Sequence, residues 1–263
     1  MTAIKILWLY PDMLSLLGDR GNAMALVRIS RRLGLEPELT RVNRLTEPFD
    51  LAQFDLALLG SGELAVMPEI IDALTLKLDD FSAFVAAGKG LLVTGNSGGL
   101  VAQSTSRLDG RQLKGLGLLD MTVEERTDIY GDDLTIEVDG LELSGIQIRQ
   151  TDCRLGPAQA AFGEVVYGLG NSADQIDEGA RHQNLIFSHL LGPMLVKNPW
   201  FTAHYIKTVM TTQQPDLELS WPTSQTWEFE RLAAQAIDQF NDDKTIPEGV
   251  LRQAKLSLPP ADD

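Results

Sequence analysis

One cysteine, Cys153, and three histidines, His182, His189 and His204, are the only thiol and imidazole side chains in 263 residues. A lone cysteine excludes an internal disulfide and a cysteine-rich zinc cluster, and so few imidazoles make a structural metal an unexpected feature. No cofactor is expected either. Basic residues are also scarce: 22 Lys and Arg stand against 37 Asp and Glu, for a formal net charge of −15. Phosphate backbones demand a basic surface, so nucleic acid is not an expected partner, nor is an anionic membrane. A small anionic substrate is compatible with this charge because a local pocket can oppose the global field. A protein partner with a basic face is compatible too. No apolar run is long enough to cross a bilayer, and the first residues lack the pattern of a signal peptide. The expectation is a cytoplasmic chain with no membrane span.

What the chain does have is a rhythm of buried strands and amphipathic helices. Ile4–Leu9 is apolar on both faces, as strands of a parallel sheet are. Asn22 is placed to cap a helix running through Leu33, with Ala25, Leu26, Ile29 and Leu33 at helical spacing and Gly34 just beyond its end. Glu38–Val42 and Leu56–Leu59 read as the next strands. Pro68 opens a helix predicted to run to about Ala87, and Leu91–Thr94 is the fourth strand. This alternation predicts βαβ units and a parallel sheet. After Leu116 come short, closely spaced strands at Leu134–Val138, Leu143–Ile148, Val165–Tyr167 and Leu185–Ser188, with turns such as Asp139-Gly140. They predict an antiparallel or mixed extension grown onto the parallel core. Asn198–Met210 reads as helical, and Thr226–Phe240 as one amphipathic helix before an end expected to fray. The predicted organisation is one α/β domain over 1–212 with a C-terminal helical appendage over 213–263.

The most informative stretch is Gly90-Leu91-Leu92-Val93-Thr94-Gly95-Asn96-Ser97-Gly98-Gly99-Leu100. A strand, a glycine-rich turn and a helix start are how α/β enzymes lift a nucleophile above the sheet edge, and residues 95–99 fit G-x-S-x-G. The plain alternative is a βα turn that needs small residues.

Four ordered segments give the chain a family likeness: Tyr10-Pro11-Asp12-Met13-Leu14-Ser15-Leu16-Leu17-Gly18-Asp19-Arg20-Gly21-Asn22; Lys114-Gly115-Leu116-Gly117-Leu118-Leu119-Asp120; Gly163-Glu164-Val165-Val166-Tyr167-Gly168-Leu169-Gly170-Asn171; and Gly192-Pro193-Met194-Leu195-Val196-Lys197-Asn198-Pro199. Over Ile4 to Val209 the chain resembles the glutaminase subunit of lipid II isoglutaminyl synthase, a class I, cobyric-acid-synthase-like glutamine amidotransferase. The resemblance implies a flavodoxin-like, mostly parallel sheet flanked by helices. In that family an elbow cysteine attacks glutamine's amide to form a thioester, and a histidine before a Gly-Pro pair activates it. The ammonia then passes to a Mur-ligase-like partner that amidates a cell-wall precursor. A thiolate is needed because an unactivated hydroxyl is a weak nucleophile toward an amide, and backbone N–H groups must meet the oxyanion.

The chain departs from this pattern at the pocket. The family's elbow cysteine falls on Thr94, Gly95 or Ser97, depending on register, and none is cysteine. The glutamine four residues on is replaced by Gly98, Gly99 or Val101 in the corresponding registers. The loop usually reading Gly-Gly-Gly-Gln-Asp is Gly60-Ser61-Gly62-Glu63-Leu64, and the Asn-His-x-Gly-Arg segment is Ile148-Arg149-Gln150-Thr151-Asp152. With Gly192-Pro193 as anchor, Leu191 occupies the family's histidine position, while His189 lies two residues earlier. Along a strand that is a shift of roughly 6.6 Å, beyond the ~3 Å reach of a general base.

The candidate site is therefore Ser97 and His189 as degenerate catalytic residues, with Gly60, Ser61, Gly62, Glu63 and Gly98 as the pocket and oxyanion set. The plain readings are a hydroxyl in a glycine turn and a histidine packed in a strand. Cys153 reads as a core or turn residue, and Asp19-Arg20 as either a salt-bridged turn or a ligand contact. Trp221 and Trp227 cover either an interface or their own domain, and Asp132-Asp133 and Asp242-Asp243 read as solvated turns. The expected role is a pseudoenzyme: a binding and assembly subunit of a Mur-ligase-like partner, with glutamine or an analogue as the pocket ligand. The alternatives are an active amidotransferase or a serine hydrolase built on Ser97 and His189.

Overall fold

The computed structural model describes residues 2–221 and residue 232. Most of the predicted appendage, including the Thr226–Phe240 helix, Trp227, Asp242-Asp243 and the chain end, lies outside the described residues.

The first half builds β1 (Ala3–Leu9), α1 (Asp19–Arg32), β2 (Glu36–Val42), β3 (Leu56–Leu59), α2 (Met67–Thr75), α3 (Leu78–Ala86) and β4 (Gly90–Thr94). A short α4 (Gly98–Val101) follows β4 through a single 3₁₀ turn at Gly95–Ser97. Next come β5 (Ser104–Ser106), β6 (Gln112–Lys114), β7 (Met121–Val138), β8 (Leu141–Leu155), β9 (Gly163–Tyr167) and β10 (Asp177–Glu178). The described residues close with β11 (Ala180–His182), β12 (Leu185–Ser188), α5 (Met194–Lys197) and α6 (Pro199–Gln213).

These strands form two sheets. The first runs β11-β12-β4-β3-β1-β2, parallel throughout except for the antiparallel edge strand β11. Its five parallel strands have the flavodoxin-like order, with the chain reversing direction of winding between β1 and β3. Alternation along β1 divides the core: Leu7 and Leu9 join Ile70, Leu74, Phe81 and Phe84 of α2 and α3 on one face. Ile4, Ile6 and Trp8 join Leu26 and Ile29 of α1 and Ile206 and Val209 of α6 on the other.

Several expectations are corrected here. Asn22 does not cap α1. The helix starts at Asp19 after Gly18, and Asn22 is buried, its Oδ1 accepting from Leu195 N at 2.9 Å. The helix predicted from Pro68 to Ala87 is two. Thr75 Oγ1 donates back to the Ile71 carbonyl at 2.7 Å, and Lys77 leaves the helical region at φ −121, ψ 19 before α3 begins. The later strands form a separate, mixed sheet, ordered β10-β9-β7-β5-β6 with β8 on β7, antiparallel except where β5 pairs β7. The segments Leu134–Val138 and Leu143–Ile148 are the ends of a long hairpin closed at Asp139-Gly140, both with positive φ (50 and 79), as a two-residue hairpin turn requires. Leu185–Ser188 does not belong to that extension. It pairs in parallel with β4, Ser188 opposite Thr94, because all its side chains are buried between helical layers. Two isolated bridges are present: Arg181 N donates to Ala160 O at 3.0 Å, and Ile146 of β8 meets Leu191 just past β12, Ile146 N donating to Leu191 O at 3.1 Å and Leu191 N to Ile146 O at 2.8 Å.

Candidate functional site

Open α/β sheets place their sites at the carboxyl ends of the strands. Here β3 ends at Gly60-Ser61-Gly62, β4 at Gly95-Asn96-Ser97, and β12 at His189-Leu190-Leu191. The inward face of β8 lies across this edge. Its buried alternate residues Gln147, Arg149, Thr151 and Cys153 follow from the period of two along a strand.

The strained residue of the elbow is Gly95. Thr94 is extended (φ −124, ψ 147), Gly95 is left-handed (φ 57), and Ser97 is already helical (φ −70, ψ −6). A Cβ added to Gly95 would fall on Ser61 Oγ, 2.8 Å from Ser61 Cβ and 3.3 Å from Leu191 Cδ2. Ser61 and Leu191 thus meet in front of the elbow, and both are buried. Ser97 is turned the other way, and its Oγ donates to the Gly60 carbonyl at 2.6 Å. Asn96 Nδ2 likewise donates to the Gly62 carbonyl at 3.1 Å. The elbow's polar side chains therefore tie down the loop after β3. Gly98 leaves no space for a side chain because Phe187 lies against it, and Glu63 points to solvent.

A residue that sequence reasoning left open, Asp19, is the hub of this region. Its carboxylate accepts from Thr94 Oγ1 (2.8 Å), Ser61 N (3.1 Å) and Asn22 Nδ2 (3.3 Å). Burial pushes its pKa up, against the pull of those same hydrogen bonds. The signal was the Gly18-Asp19 pair at a helix start, where a carboxylate complements the helix dipole.

His189 is not brought to Ser97: no hydrogen bond joins them among the described residues. Its Nε2 lies 3.7 Å from Cys153 Sγ, its Nδ1 3.5 Å from Glu178 Oε1, and its backbone N donates to that same oxygen at 2.6 Å. This Cys-His-Glu grouping was not foreseen, although the alternating polar letters of β8 mark its face as one that looks inward. It has the composition of a thiol-based centre but not the physics. Burial pushes the Cys153 thiol up to about 12, so no thiolate is present near neutrality. Arg149, wholly buried, donates to the Asn171 carbonyl and pairs with Asp152 at 3.0 Å.

Burial also holds the His189 pKa below its usual value, outweighing Glu178, which raises it. The unfolded imidazole takes up a proton below about pH 6.5, while the folded one refuses it. Stability is therefore full above that pH and falls as the pH drops, by up to about 1.4 kcal/mol per pH unit. His189→Gln is expected to flatten the slope of unfolding free energy between pH 7 and pH 5, measured by urea denaturation. An unchanged slope would show that His189 is not the group responsible.

No protein-family model matches the chain. Two relatives do: the GatD subunit of lipid II isoglutaminyl synthase (glutamine-hydrolyzing) from Streptococcus pneumoniae is 25% identical over 210 residues, spanning 79% of this chain and 80% of its own length. The subunit of the same name from Staphylococcus aureus is 26% identical over 210 residues, spanning 79% of this chain and 84% of its own. Among solved structures, a crystal structure of a glutamine amidotransferase superposes with a TM-score of 0.52 at 21% identity, covering 78% of this chain and 98% of that one. Shared sequence over most of both lengths and a matching fold lead to one conclusion: the chain is similar to the GatD subunits and has the fold of a class I glutamine amidotransferase.

Proposed function

We propose that this chain is a glutaminase-fold subunit that has lost glutamine hydrolysis, and that it serves by binding and assembly with a Mur-ligase-like partner acting on a cell-wall precursor. The observation that carries this reading is Gly95. We take it as the position of the family's nucleophile, because it alone at the end of β4 has the strained backbone of an elbow. It has no side chain, and the space a thiol needs is filled by Ser61. The atom facing that space from the base's position belongs to Leu191, an aliphatic side chain that accepts no proton. Covalent catalysis then lacks both the group that forms the thioester and the group that activates it.

The framework supports the binding half of the proposal. The two GatD relatives are named as subunits of a synthase, and the likeness to them spans 210 residues, 79% of this chain. The competing reading, hydrolysis by Ser97 and His189, gains nothing from a hydroxyl bonded to a backbone carbonyl and an imidazole directed at Cys153 and Glu178.

The test is ammonia release from glutamine, with and without the co-expressed partner. Both preparations are expected at buffer background, and Ser97→Ala is expected to change neither. A rate above background that disappears in Ser97→Ala would overturn the proposal in favour of a serine-based enzyme.

A further inference from the structure

On the inward face of β8, the fold uses one buried guanidinium on one side only. Arg149 has no exposure to solvent. Its Nη1 donates to the Thr151 carbonyl at 3.3 Å and to the Asn171 carbonyl, and pairs with Asp152 Oδ1 at 3.0 Å. Its Nε and Nη2 have no hydrogen-bond partner among the described residues. Burying charged donors without acceptors is costly, so such a pair favours an acceptor from outside the chain. Two residues earlier on the same face, Gln147 Nε2 donates to the Gly170 carbonyl at 2.8 Å, while its Oε1 is likewise unpartnered.

The chemistry of that acceptor follows from the donors. Nε–H and the nearer Nη2–H project in parallel from one edge of a planar group, and that edge matches the two oxygens of a carboxylate. Water meets such donors singly. Phosphate offers a similar pair of oxygens but carries up to two charges. Asp152 already stands beside Nη1, and its other oxygen accepts from Arg126 Nη1 at 2.5 Å. Next to that carboxylate, a singly charged group is opposed less than a doubly charged one. The family's Asn-His-x-Gly-Arg segment has its arginine at the position of Asp152, so the fork at Arg149 is this chain's own.

The hairpin also leaves a way in. Strands β7 and β8 lose register between Glu125 and Tyr130, and residues 126–129 have no partner on β8. The Tyr130 ring centroid lies 5.9 Å from Arg149 Cζ, and Ile129 beside it is 64% exposed. The cover over Arg149 therefore adjoins a stretch that the ladder does not hold, the kind of segment that opens locally.

We propose that Arg149 binds a small carboxylate, its Nε and Nη2 clamping the two oxygens, with entry past the unpaired stretch of β7. This rests on the reading of a pocket that binds without hydrolysing, and names the class of ligand it takes.

Butyrate is the probe, because it has a carboxylate and no amide to lose. Thermal unfolding of the full chain is followed with butyrate, its neutral isostere butyramide, or phosphate, at constant ionic strength set by sodium chloride. Butyrate is expected to raise Tm in a saturable way, phosphate less, and butyramide not at all. Arg149→Lys keeps the charge and loses the fork, and is expected to weaken butyrate binding at least ~10-fold. In the unaltered chain labelled with nitrogen-15, one arginine Nε–H resonance is expected to move downfield as butyrate is added, a readout that needs no variant to fold. No saturable stabilisation, equal affinity in Arg149→Lys, tighter binding of phosphate or butyramide, or arginine Nε–H resonances that all stay in place would each overturn the proposal. Ammonia release from glutamine would overturn the loss of hydrolysis alone, since butyrate has no nitrogen to release.

Discussion

A chain carrying Gly95→Cys, Ser61→Gly and Leu191→His together is expected to release ammonia from glutamine at ~10²-fold or more above buffer background, where the natural chain stays at background. The factor is the low end of what a positioned base contributes, added to a nucleophile that becomes competent once a base activates it. The three changes are a set. Cysteine alone would collide with Ser61, whose Oγ occupies the place of the new Cβ. Clearing that collision without a base leaves a thiol with nothing to deprotonate it. Leu191 is the position to change because its Cδ2 already approaches the new Cβ to 3.3 Å, within reach of an imidazole on the same backbone. Each double variant is expected to stay near background, since groups that act as a unit do not contribute additively. If Ser97→Cys with Leu191→His gained activity while the triple variant did not, the nucleophile's place would be Ser97 and not Gly95.

Asp19→Ala is expected to cost about 3 kcal/mol near neutral pH, because it leaves Ser61 N–H and the Thr94 hydroxyl buried without an acceptor, at about 1–3 kcal/mol each. For a chain of this size that lowers the melting temperature by roughly 6–12 °C. The pH dependence carries a definite sign. Burial raises the folded pKa of Asp19 above the unfolded value. Below the unfolded value both states hold the proton and nothing is lost. As the pH climbs between the two values the native state holds its proton longer, so stability falls, and above the folded value the full loss is in place. Asp19→Asn removes that titration while keeping one acceptor, so it should cost less than alanine and show a flatter profile on the acid side. Urea denaturation of the three proteins from pH 4 to pH 7 checks both points. A loss below 1 kcal/mol in Asp19→Ala would mean that the three segments meeting at this carboxylate are held by packing alone.

The parallel core was legible because buried strands and helices between them announce themselves by composition. Leu56–Leu59 matches residue for residue, and β1 and β4 differ from expectation only at their ends. What was not legible depended on contacts distant in sequence. Leu185–Ser188 is as fully buried as β3 and β4, but only its pairing with β4 tells which sheet it joins. The break between α2 and α3 turns on one threonine bonding backwards, which helical spacing does not register. In the site, the missing cysteine and histidine were visible as letters. The register of the elbow was not, because a glycine-rich turn offers several equivalent alignments. G-x-S-x-G drew attention to Ser97, yet a motif states which residues follow one another and not which way a hydroxyl turns. Cys153 beside His189 required the fold outright, since 36 positions of chain separate them.

At Leu191 the bridge to Ile146 of the second sheet is made by main-chain atoms, in both directions. The hydrogen bonds of this bridge are made by the main chain, so they do not depend on which side chain stands at Leu191. An imidazole introduced at Leu191 therefore inherits an anchored backbone.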